Sequence, residues 1–386
     1  MNPRISALLA IAAFAVAGVL GSTETLAQNA YIANSGANTV SVINTATNTV
    51  IATIPVGNFP LGVTVTPDAG NVYVTNGDSA SVSVIDPATN TVIDTISVGT
   101  QPYSLAATPD GRRVYVANAC YGFCGTVSVI DTANNMVIAT IPVGYSPGGV
   151  AVIPDGSKVY VANAFSGTVS VIATRTNTVI DTVTVQEIPH FSAVTPDGGR
   201  VYVGNSYSNT VSVIDTADDT VIATIPVGSN DPSAGGSYPQ GVAVSPDGRK
   251  VYVANSYLAN SVSVIDTSTN TVIDTIPVGN GPEGLAVTAD GSKIYVANIW
   301  DYDVSVINAA TDKVVTTVPV GVNPQAFGIF IQRPLGFAGT PGKANCYGKS
   351  VSALTSQYHG LNAAAAALGY SSAKALQNTV LAFCEA

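Results

Sequence analysis

The residues Tyr115-Val116-Ala117-Asn118 form a short motif that recurs along the whole chain. Six further copies have a tyrosine at the first position and an asparagine at the fourth, at intervals of 42 to 50 residues. The motif tyrosines are Tyr31, Tyr73, Tyr115, Tyr160, Tyr202, Tyr252 and Tyr295. The chain is therefore built on a seven-fold internal repeat.

The same series of short segments follows each copy of the motif. A Val-Ser-Val-Ile-like run comes first, then a Thr-Val-Ile-Ala-Thr-Ile-like run, a Pro, a Gly-Val-Ala-Val-like run and Pro-Asp-Gly. These segments are rich in Val, Ile, Thr and Tyr and are separated by Gly, Pro, Asn and Asp, as strands and turns are. The repeat thus predicts four strands per unit. Several strands do not alternate polar with apolar residues, so we expect both of their faces to be buried.

A period of a little over forty residues with four strands is typical of a β-propeller, so we predict an all-β fold with seven blades. The first copy of the repeat begins at its second strand, with Tyr31, whereas Phe327 to Ile331 supply a lone first strand at the other end. Both ends are therefore expected to share blade 1 in a 1+3 strand closure. The first strands of blades 2 to 7 are expected to open at Leu61, Tyr103, Gly148, His190, Gln240 and Glu283.

The motif Tyr73-Val74-Thr75-Asn76 and its companions resemble the YVTN-repeat β-propeller proteins, a family of exported and cell-surface propellers. The resemblance extends over residues 31 to 331 and implies a propeller located outside the cytoplasm, but no particular activity. The chain also resembles, more distantly, the seven-bladed lactonase propellers. A likeness of fold carries little weight for function.

The N-terminus has the pattern of a secretory signal peptide in residues 1–27. Arg4 precedes an apolar run, and Thr25-Leu26-Ala27 form a small-residue cleavage site before Gln28. The alternative is an uncleaved membrane anchor, for which the apolar run is short. No later segment is expected to cross a membrane, so we predict an exported monomer, periplasmic, extracellular or attached to the cell surface, with the propeller in residues 28–333.

Residues 334–386 form a different unit, rich in Ala, which we predict to be a small helical appendage. The chain has four cysteines, and an even number in an exported protein favours two disulfides. Three pairings are possible. We favour Cys120 with Cys124 and Cys346 with Cys384, because each pair falls within one local unit.

Residues that occur in all seven copies are expected to build the blades. The serines of the Val-Ser-Val-Ile runs are thus not nucleophiles, and the motif asparagines are expected to bind the backbone of the following turn. Function is expected where one copy departs from the others. The departures are the segment Cys120 to Cys124, the insertion 229–238, the segment 186–191 and the segment 300–303.

All four departures lie in loops that join second to third strands or one blade to the next. Such loops emerge on one side of a propeller, which we name the top face; the other turns form the bottom face. The Lys and Arg residues of the propeller all fall at bottom-face turns, whereas the top face combines aromatic and acidic residues. The candidate ligand-binding residues are Trp300, Asp301, Tyr302, Asp303, Tyr257, Phe123, His190 and Glu283.

We therefore predict a protein that binds a glycan, a cationic group or a protein on its top face and needs no cofactor, although carboxylates around a funnel could hold Ca²⁺. An enzyme is the alternative: a metal-assisted hydrolase of lactones or esters, with His190 and Glu283 at the channel mouth. A single-stranded nucleic-acid binder is the third possibility. The net charge of −10 and the absence of a basic groove disfavour it.

Overall fold

The computed structural model describes residues 28–120, 124–228 and 237–332, together with Lys374 and Gln377. These residues form seven antiparallel sheets in chain order, and the predicted seven-bladed all-β propeller is thereby confirmed. Blade 1 contains β1 to β3, and each later blade contains the next four strands. In blades 2 to 7 the chain runs outwards from the central axis, so the first strand of each blade lines the channel.

The strand bounds repeat closely from blade to blade. The innermost strands are β4 (Pro60–Val65), β8 (Pro102–Ala107), β12 (Pro147–Val152), β16 (Pro189–Val194), β20 (Pro239–Val244) and β24 (Pro282–Val287). The second strands, which carry the tyrosine motif, are β1 (Asn29–Asn34), β5 (Val72–Asn76), β9 (Arg113–Asn118), β13 (Lys158–Asn163), β17 (Arg200–Asn205), β21 (Lys250–Asn255) and β25 (Lys293–Asn298).

The two outer positions are equally regular. The third strands are β2 (Thr39–Asn44), β6 (Ser81–Asp86), β10 (Thr126–Asp131), β14 (Thr168–Ala173), β18 (Thr210–Asp215), β22 (Ser261–Asp266) and β26 (Asp303–Asn308). The outermost strands are β3 (Thr49–Pro55), β7 (Thr91–Ser97), β11 (Met136–Pro142), β15 (Thr178–Thr184), β19 (Thr220–Pro226), β23 (Thr271–Pro277) and β27 (Lys313–Pro319). A single 3-10 turn, Ala164–Ser166, is described in blade 4.

Burial follows the position of a strand in its blade. The second and third strands are buried along nearly their whole length, because neighbouring blades cover both of their faces. The outermost strands are exposed at most positions. The prediction of strands buried on both faces is therefore confirmed for the inner part of each blade, and the core consists of apolar layers between successive blades.

In blades 2, 3, 4, 5 and 7 the motif tyrosine joins its blade to the next. The hydroxyl of Tyr115 in blade 3 donates to Oδ1 of Asn177 in blade 4, at 2.8 Å. The tyrosine ring is fully buried, while its hydroxyl reaches the turn between the third and fourth strands of the neighbouring blade. We name this contact the inter-blade tyrosine bond. The same bond joins Tyr73 to Asn135, Tyr160 to Asp219, Tyr202 to Asn270 and Tyr295 to Asn48.

The acceptors of these bonds have a second role in their own turns. Asn177 has a φ of 53°, and Asn48, Asn135, Asp219 and Asn270 also have φ values between 53° and 56°. Asn and Asp tolerate this left-handed conformation better than most residues do. One residue type therefore both closes the turn and accepts the hydrogen bond from the preceding blade.

The motif asparagine has a different partner from the one predicted. Nδ2 of Asn118 donates to Oγ1 of Thr126 at 3.1 Å and to Oγ of Ser128 at 3.0 Å, not to the backbone of the following turn. Asn118 is buried at the end of β9 and faces the adjacent strand, whose hydroxyls accept both hydrogen bonds from its Nδ2. The repeated serines are thus the partners of the repeated asparagines. Asn118 also packs closely on Gly99, where an added Cβ would lie only 2.6 Å from Cγ of the asparagine.

The ring closes between the two ends of the described propeller. The amide of Tyr31 donates to the carbonyl of Phe330 at 3.0 Å, and Ala30 pairs with Ile331 in an antiparallel bridge. The predicted closure is therefore confirmed, but the closing segment is not a continuous strand. Around Phe327 the segment turns towards β4, and Val63 N donates to Phe327 O at 2.9 Å. Gly328 allows this approach, because it has a φ of +120°.

The basic residues lie on the bottom face as predicted. Several begin a second strand and reach the next blade: Nη1 of Arg113 donates to the carbonyl of Thr174 at 2.6 Å, and Nζ of Lys158 is 2.8 Å from Oδ2 of Asp219. Lys250 pairs with Asp312 in the same way. These side chains therefore support the contacts between blades.

Some sequence-based predictions fall outside the described residues. They are the signal peptide, the disulfide between Cys346 and Cys384 and most of the helical tail, in which Lys374 and Gln377 are helical. Within the part that the structure describes, no helix has the length and hydrophobicity needed to span a membrane.

We expect Tyr295→Phe to lower the free energy of unfolding by about 1–2 kcal/mol, because it removes the hydrogen bond of a fully buried tyrosine to a partly buried acceptor. This bond joins blade 7 to blade 1 at 2.6 Å. Urea unfolding measures the change. The control is Tyr207→Phe, whose hydroxyl lies on an exposed side chain and should matter by less than about 0.5 kcal/mol. Equal effects of the two substitutions would contradict the role of the inter-blade bond.

We expect a chain that ends at residue 326 to melt far below one that ends at residue 334. The shorter chain lacks Phe327 and Phe330, which are fully buried, and it exposes the edges of β1 and β4. Truncating a buried aromatic side chain typically costs about 3–5 kcal/mol. Thermal melts of both chains provide the measurement, and equal melting temperatures would show that the segment does not close the ring.

Candidate ligand-binding surfaces

The top face is held together by bonds between neighbouring loops. Each loop between second and third strands pairs with the connection that precedes its blade: Gly77 N donates to Phe59 O at 2.8 Å, and Ala119 N donates to Gln101 O at 2.9 Å. The same pairing links Ile299 to Gly281 in blade 7. The described parts of the four departures from the repeat lie in these loops, which the bonds between loops hold together as one surface.

Four aromatic rings form a continuous row across blades 5 to 7 on this face. Tyr207 contacts Tyr238 with a centroid separation of 5.4 Å, Tyr238 contacts Tyr257 at 5.3 Å, and Tyr257 contacts Trp300 at 6.2 Å. Each pair meets edge to face, with interplanar angles of 68° to 76°. We name these four residues the aromatic row. Tyr207, Tyr257 and Trp300 keep 59%, 49% and 51% of their surface exposed.

The local backbone fixes the positions of Tyr238 and Trp300. The amide of Tyr238 donates to Oδ1 of Asn209 in the preceding blade, at 3.2 Å. The ring of Trp300 lies against Gly281, where a Cβ would come within 3.0 Å of Cδ2 and Cε3 of the indole. Gly281 also has a φ of +66°. A side chain at this position would therefore displace the tryptophan, so glycine is required beneath the ring.

The acidic residues beside Trp300 also support the loop. Oδ2 of Asp301 accepts from the amide of Asn280 at 2.7 Å, and its Oδ1 accepts from Nδ2 of the same residue at 2.8 Å. Asp303 occupies the place of the repeated Thr or Ser and accepts from Nδ2 of Asn298 at 2.7 Å. Burial raises the pKa of Asp303. Tyr302 is exposed and is held in the same loop by the bond from Val320 N to its carbonyl.

The loop of blade 3 carries the predicted disulfide between Cys120 and Cys124. Phe123 lies outside the described residues. The other candidates on the top face, Tyr257, Trp300, Asp301, Tyr302 and Asp303, lie on blades 6 and 7. Tyr238 joins them in the row although it was missed as an individual candidate; the only signal was its position at the end of the inserted segment between blades 5 and 6.

The mouth of the channel is packed rather than open. Phe327 reaches the axis and stacks on Phe191 with a centroid separation of 4.1 Å and on Tyr103 at 5.5 Å. Leu61 completes this apolar cluster, which we name the axial plug. Glycines bring the inner strands close together at this level: a Cβ at Gly241 would lie 2.4 Å from the carbonyl oxygen of Glu283.

His190 and Glu283 lie at the rim of the axial plug. Nδ1 of His190 forms a short hydrogen bond with Oε1 of Gln240, and the imidazole packs on Tyr103 and Phe191. Oε1 of Glu283 accepts from Oγ of Ser256 at 3.3 Å. The structure thus gives each of the two predicted residues its own protein partner. Among the described residues, no group of three or more His, Cys, Asp or Glu is arranged to hold a metal ion.

The comparisons with known proteins agree with this architecture. A family model described as a YNCE-like beta-propeller matches residues 5–121 and 234–333. The chain belongs to the YNCE-like β-propeller family. The resemblance to YVTN-type propellers is thereby confirmed.

Two solved structures show the same fold as this YNCE-like propeller. One is the Kuenenia stuttgartiensis Hydrazine Synthase, with 25% identity and a TM-score of 0.64 over 72% of this chain and 92% of that chain. The other is a functionally unknown protein from Desulfotomaculum acetoxidans DSM 771, with 19% identity and a TM-score of 0.67 over 79% of this chain and 99% of that chain. A search of the curated proteins finds no match.

Burial sets the protonation of the two rim residues of the YNCE-like propeller. It raises the pKa of Glu283 to about 8, and the hydrogen bond from Ser256 only partly offsets this effect. Burial also lowers the pKa of His190, against the opposing effect of Gln240. Near neutral pH the carboxyl is therefore mostly protonated and the imidazole neutral, so the rim is polar but largely uncharged.

We expect Glu283→Gln to stabilise the YNCE-like propeller increasingly as the pH rises from about 5 to about 8. The folded pKa lies above the ordinary value of 4.5, so the native state binds more protons than the unfolded state in this range and wild-type stability falls with pH. Glutamine removes this loss. Melting temperatures from pH 4 to pH 9 measure the difference, with Glu187→Gln controlling for net charge. A difference independent of pH would contradict the burial of the carboxyl.

Proposed function

We propose that this protein is an exported binding protein that recognises a glycan through the aromatic row. The contiguous row of four rings across blades 5 to 7 is the observation that supports this function best. Exposed tyrosine and tryptophan rings present flat apolar faces with a polar edge, and they lose little conformational entropy when they bind. Such faces suit the apolar C–H surfaces of successive sugar rings.

The charge of the top face narrows the class of ligand. The described loops of this face contain no Lys or Arg, whereas Asp78, Glu187, Asp301 and Asp303 are acidic. A polyanion would meet unfavourable potential here, while an uncharged or amino-substituted glycan would not. This argument disfavours a nucleic-acid strand as well, because strand binding depends on basic side chains along the backbone.

The hydrolase alternative gains no support from the channel mouth. A metal ion would need the ionised carboxylate of Glu283, yet burial raises the pKa of this group to about 8. His190 is turned towards Gln240 and packs on the axial plug. Both residues therefore fit a role in packing the rim, next to the binding surface.

Export is the second part of the proposal. The disulfide between Cys120 and Cys124 is of a kind that persists in oxidising compartments such as the periplasm or the cell exterior. The signal-like pattern of residues 1–27 agrees with this location. A glycan would be encountered in either place.

We expect Trp300→Ala to weaken binding at least tenfold, because the loss of an aromatic anchor typically costs about 2 kcal/mol. A glycan array probed with the wild-type protein identifies the ligand, and calorimetric titration with that glycan measures the variants. The melting temperature should change little, since half of the indole is exposed.

Two control variants sharpen this experiment. Phe165→Ala removes an aromatic ring of 56% exposure from blade 4, outside the row, and should retain binding. Arg175→Ala changes an exposed bottom-face residue and should also retain it. Loss of binding in Arg175→Ala together with unchanged binding in Trp300→Ala would place the ligand on the opposite face and refute the proposal.

A further inference from the structure

The axial channel opens on the bottom face through an apolar rim. In blades 2 to 7 the turn between the first and second strands places one residue at this opening, and we name these six residues the bottom rim: Pro67, Pro109, Pro154, Pro196, Pro246 and Ala289. The five prolines are exposed. Beside them, Ile329 of the closing segment lines the channel and keeps 51% of its surface exposed. Contiguous apolar surface of this kind marks a site of interaction.

A ring of carboxylates surrounds the bottom rim. Each rim residue is followed in the sequence by an exposed aspartate, and these are Asp68, Asp110, Asp155, Asp197, Asp247 and Asp290. The hydrogen bond from Thr195 lowers the pKa of Asp197, and the equivalent bond from Ser245 lowers the pKa of Asp247. The apolar opening is therefore bordered by negative charge at neutral pH.

The basic residues of the same turns are mostly engaged within the propeller. Five of the seven bond to the neighbouring blade, namely Arg113, Lys158, Arg200, Lys250 and Lys293. The other two, Arg112 and Arg249, are exposed. Six exposed carboxylates thus stand against two exposed cations around the opening, so the bottom rim favours a partner that is both apolar and basic.

The chain itself leaves the propeller at this rim. The closing segment starts at the top face, where Pro324 pairs with Asn34, and it ends at the bottom face, where Gln332 N donates to Asn29 O at 2.8 Å. Ile331 still lines the channel. Gln332 is the last propeller residue that the structure describes, and residues 333–386 follow it. This C-terminal segment therefore begins beside the bottom rim.

The composition of the C-terminal segment complements the rim. It contains four Lys or Arg residues and one Glu, although the whole chain has a net charge of −10. Its larger apolar residues recur at helical spacings: Val351, Leu354, Leu361, Leu368, Leu376, Val380 and Phe383. So short a unit buries little apolar surface alone and gains stability by packing against another surface. Its covalent link to Gln332 keeps it at a high effective concentration near the rim.

We propose that residues 333–386 dock on the bottom rim and cover the lower end of the channel. Apolar residues of the segment contact the rim prolines and Ile329, and its basic residues lie against the surrounding aspartates. The bottom face is then occupied by a part of the same chain, which leaves the top face as the open surface of the propeller. This docking does not depend on the proposed glycan binding.

Hydroxyl-radical oxidation of the full-length protein, read by mass spectrometry of its peptides, tests the proposal. Ile273 on the outer strand β23 is the reference, because it has 53% exposure, close to the 51% of Ile329. In the wild type Ile329 should be oxidised more slowly than Ile273, since the segment covers it. Lys349→Glu combined with Lys374→Glu should raise the oxidation rate of Ile329 by about threefold or more, because the new carboxylates face the rim aspartates.

A matched control variant carries the same change of net charge elsewhere on the bottom face. Arg175→Glu combined with Lys313→Glu alters two exposed residues at the outer turns and should leave the oxidation of Ile329 unchanged. The proposal is wrong if Ile329 reacts as fast as Ile273 in the wild type, or if the two double variants behave alike. Light scattering at several concentrations identifies a different cover: protection of Ile329 that disappears on dilution, together with a dimer, would assign the rim to a second copy and overturn the proposal.

Discussion

The fold depends on the contact between each motif tyrosine and the next blade. A blade is a twisted sheet that cannot bury either face alone, so the ring requires that every blade be held against two others. The buried tyrosine ring fills the layer between blades, and in blades 2, 3, 4, 5 and 7 its hydroxyl bonds to a turn that carries Asn or Asp in a left-handed conformation. The bond from Tyr295 to Asn48 performs this task across the closure, beside the segment that leads from β27 to its pairing with β1.

The repeated residues hold the blades together, so the stability of the fold depends little on the remaining surface residues. The motif asparagines, the paired serines and the inter-blade tyrosines recur around the ring, so loops on the top face and single positions near the axis can differ without loss of the scaffold. The differences concentrate in blades 5 to 7. They produce the aromatic row on the top face and the axial plug at Phe191.

The fold could be predicted from the sequence because each repeat carries its own strands and turns, and the location of both chain ends within one repeat fixes the closure. Side-chain partners were harder to predict. Tyr115 and Asn177 belong to different repeats, and only the angle between blades brings them together. The open funnel expected at His190 and Glu283 is instead filled, because Gly328 lets the closing segment leave β1 and place Phe327 on the axis. Similarly, Tyr257 and Trp300 were predicted to share a face, but their direct contact and the link from Tyr257 through Tyr238 to Tyr207 depend on loop geometry that the sequence does not reveal.

The most direct test of this account is native-state hydrogen exchange of the second strands. If the inter-blade tyrosine bonds and the closing segment make the ring one cooperative body, then the amides of β1 in the closing blade should exchange only through global unfolding, with the same free energy as those of β13 on the opposite side. Exchange of β1 through an opening of distinctly lower free energy, while β13 remains protected, would contradict the account, because it would show that the ring opens between blades 7 and 1 without unfolding.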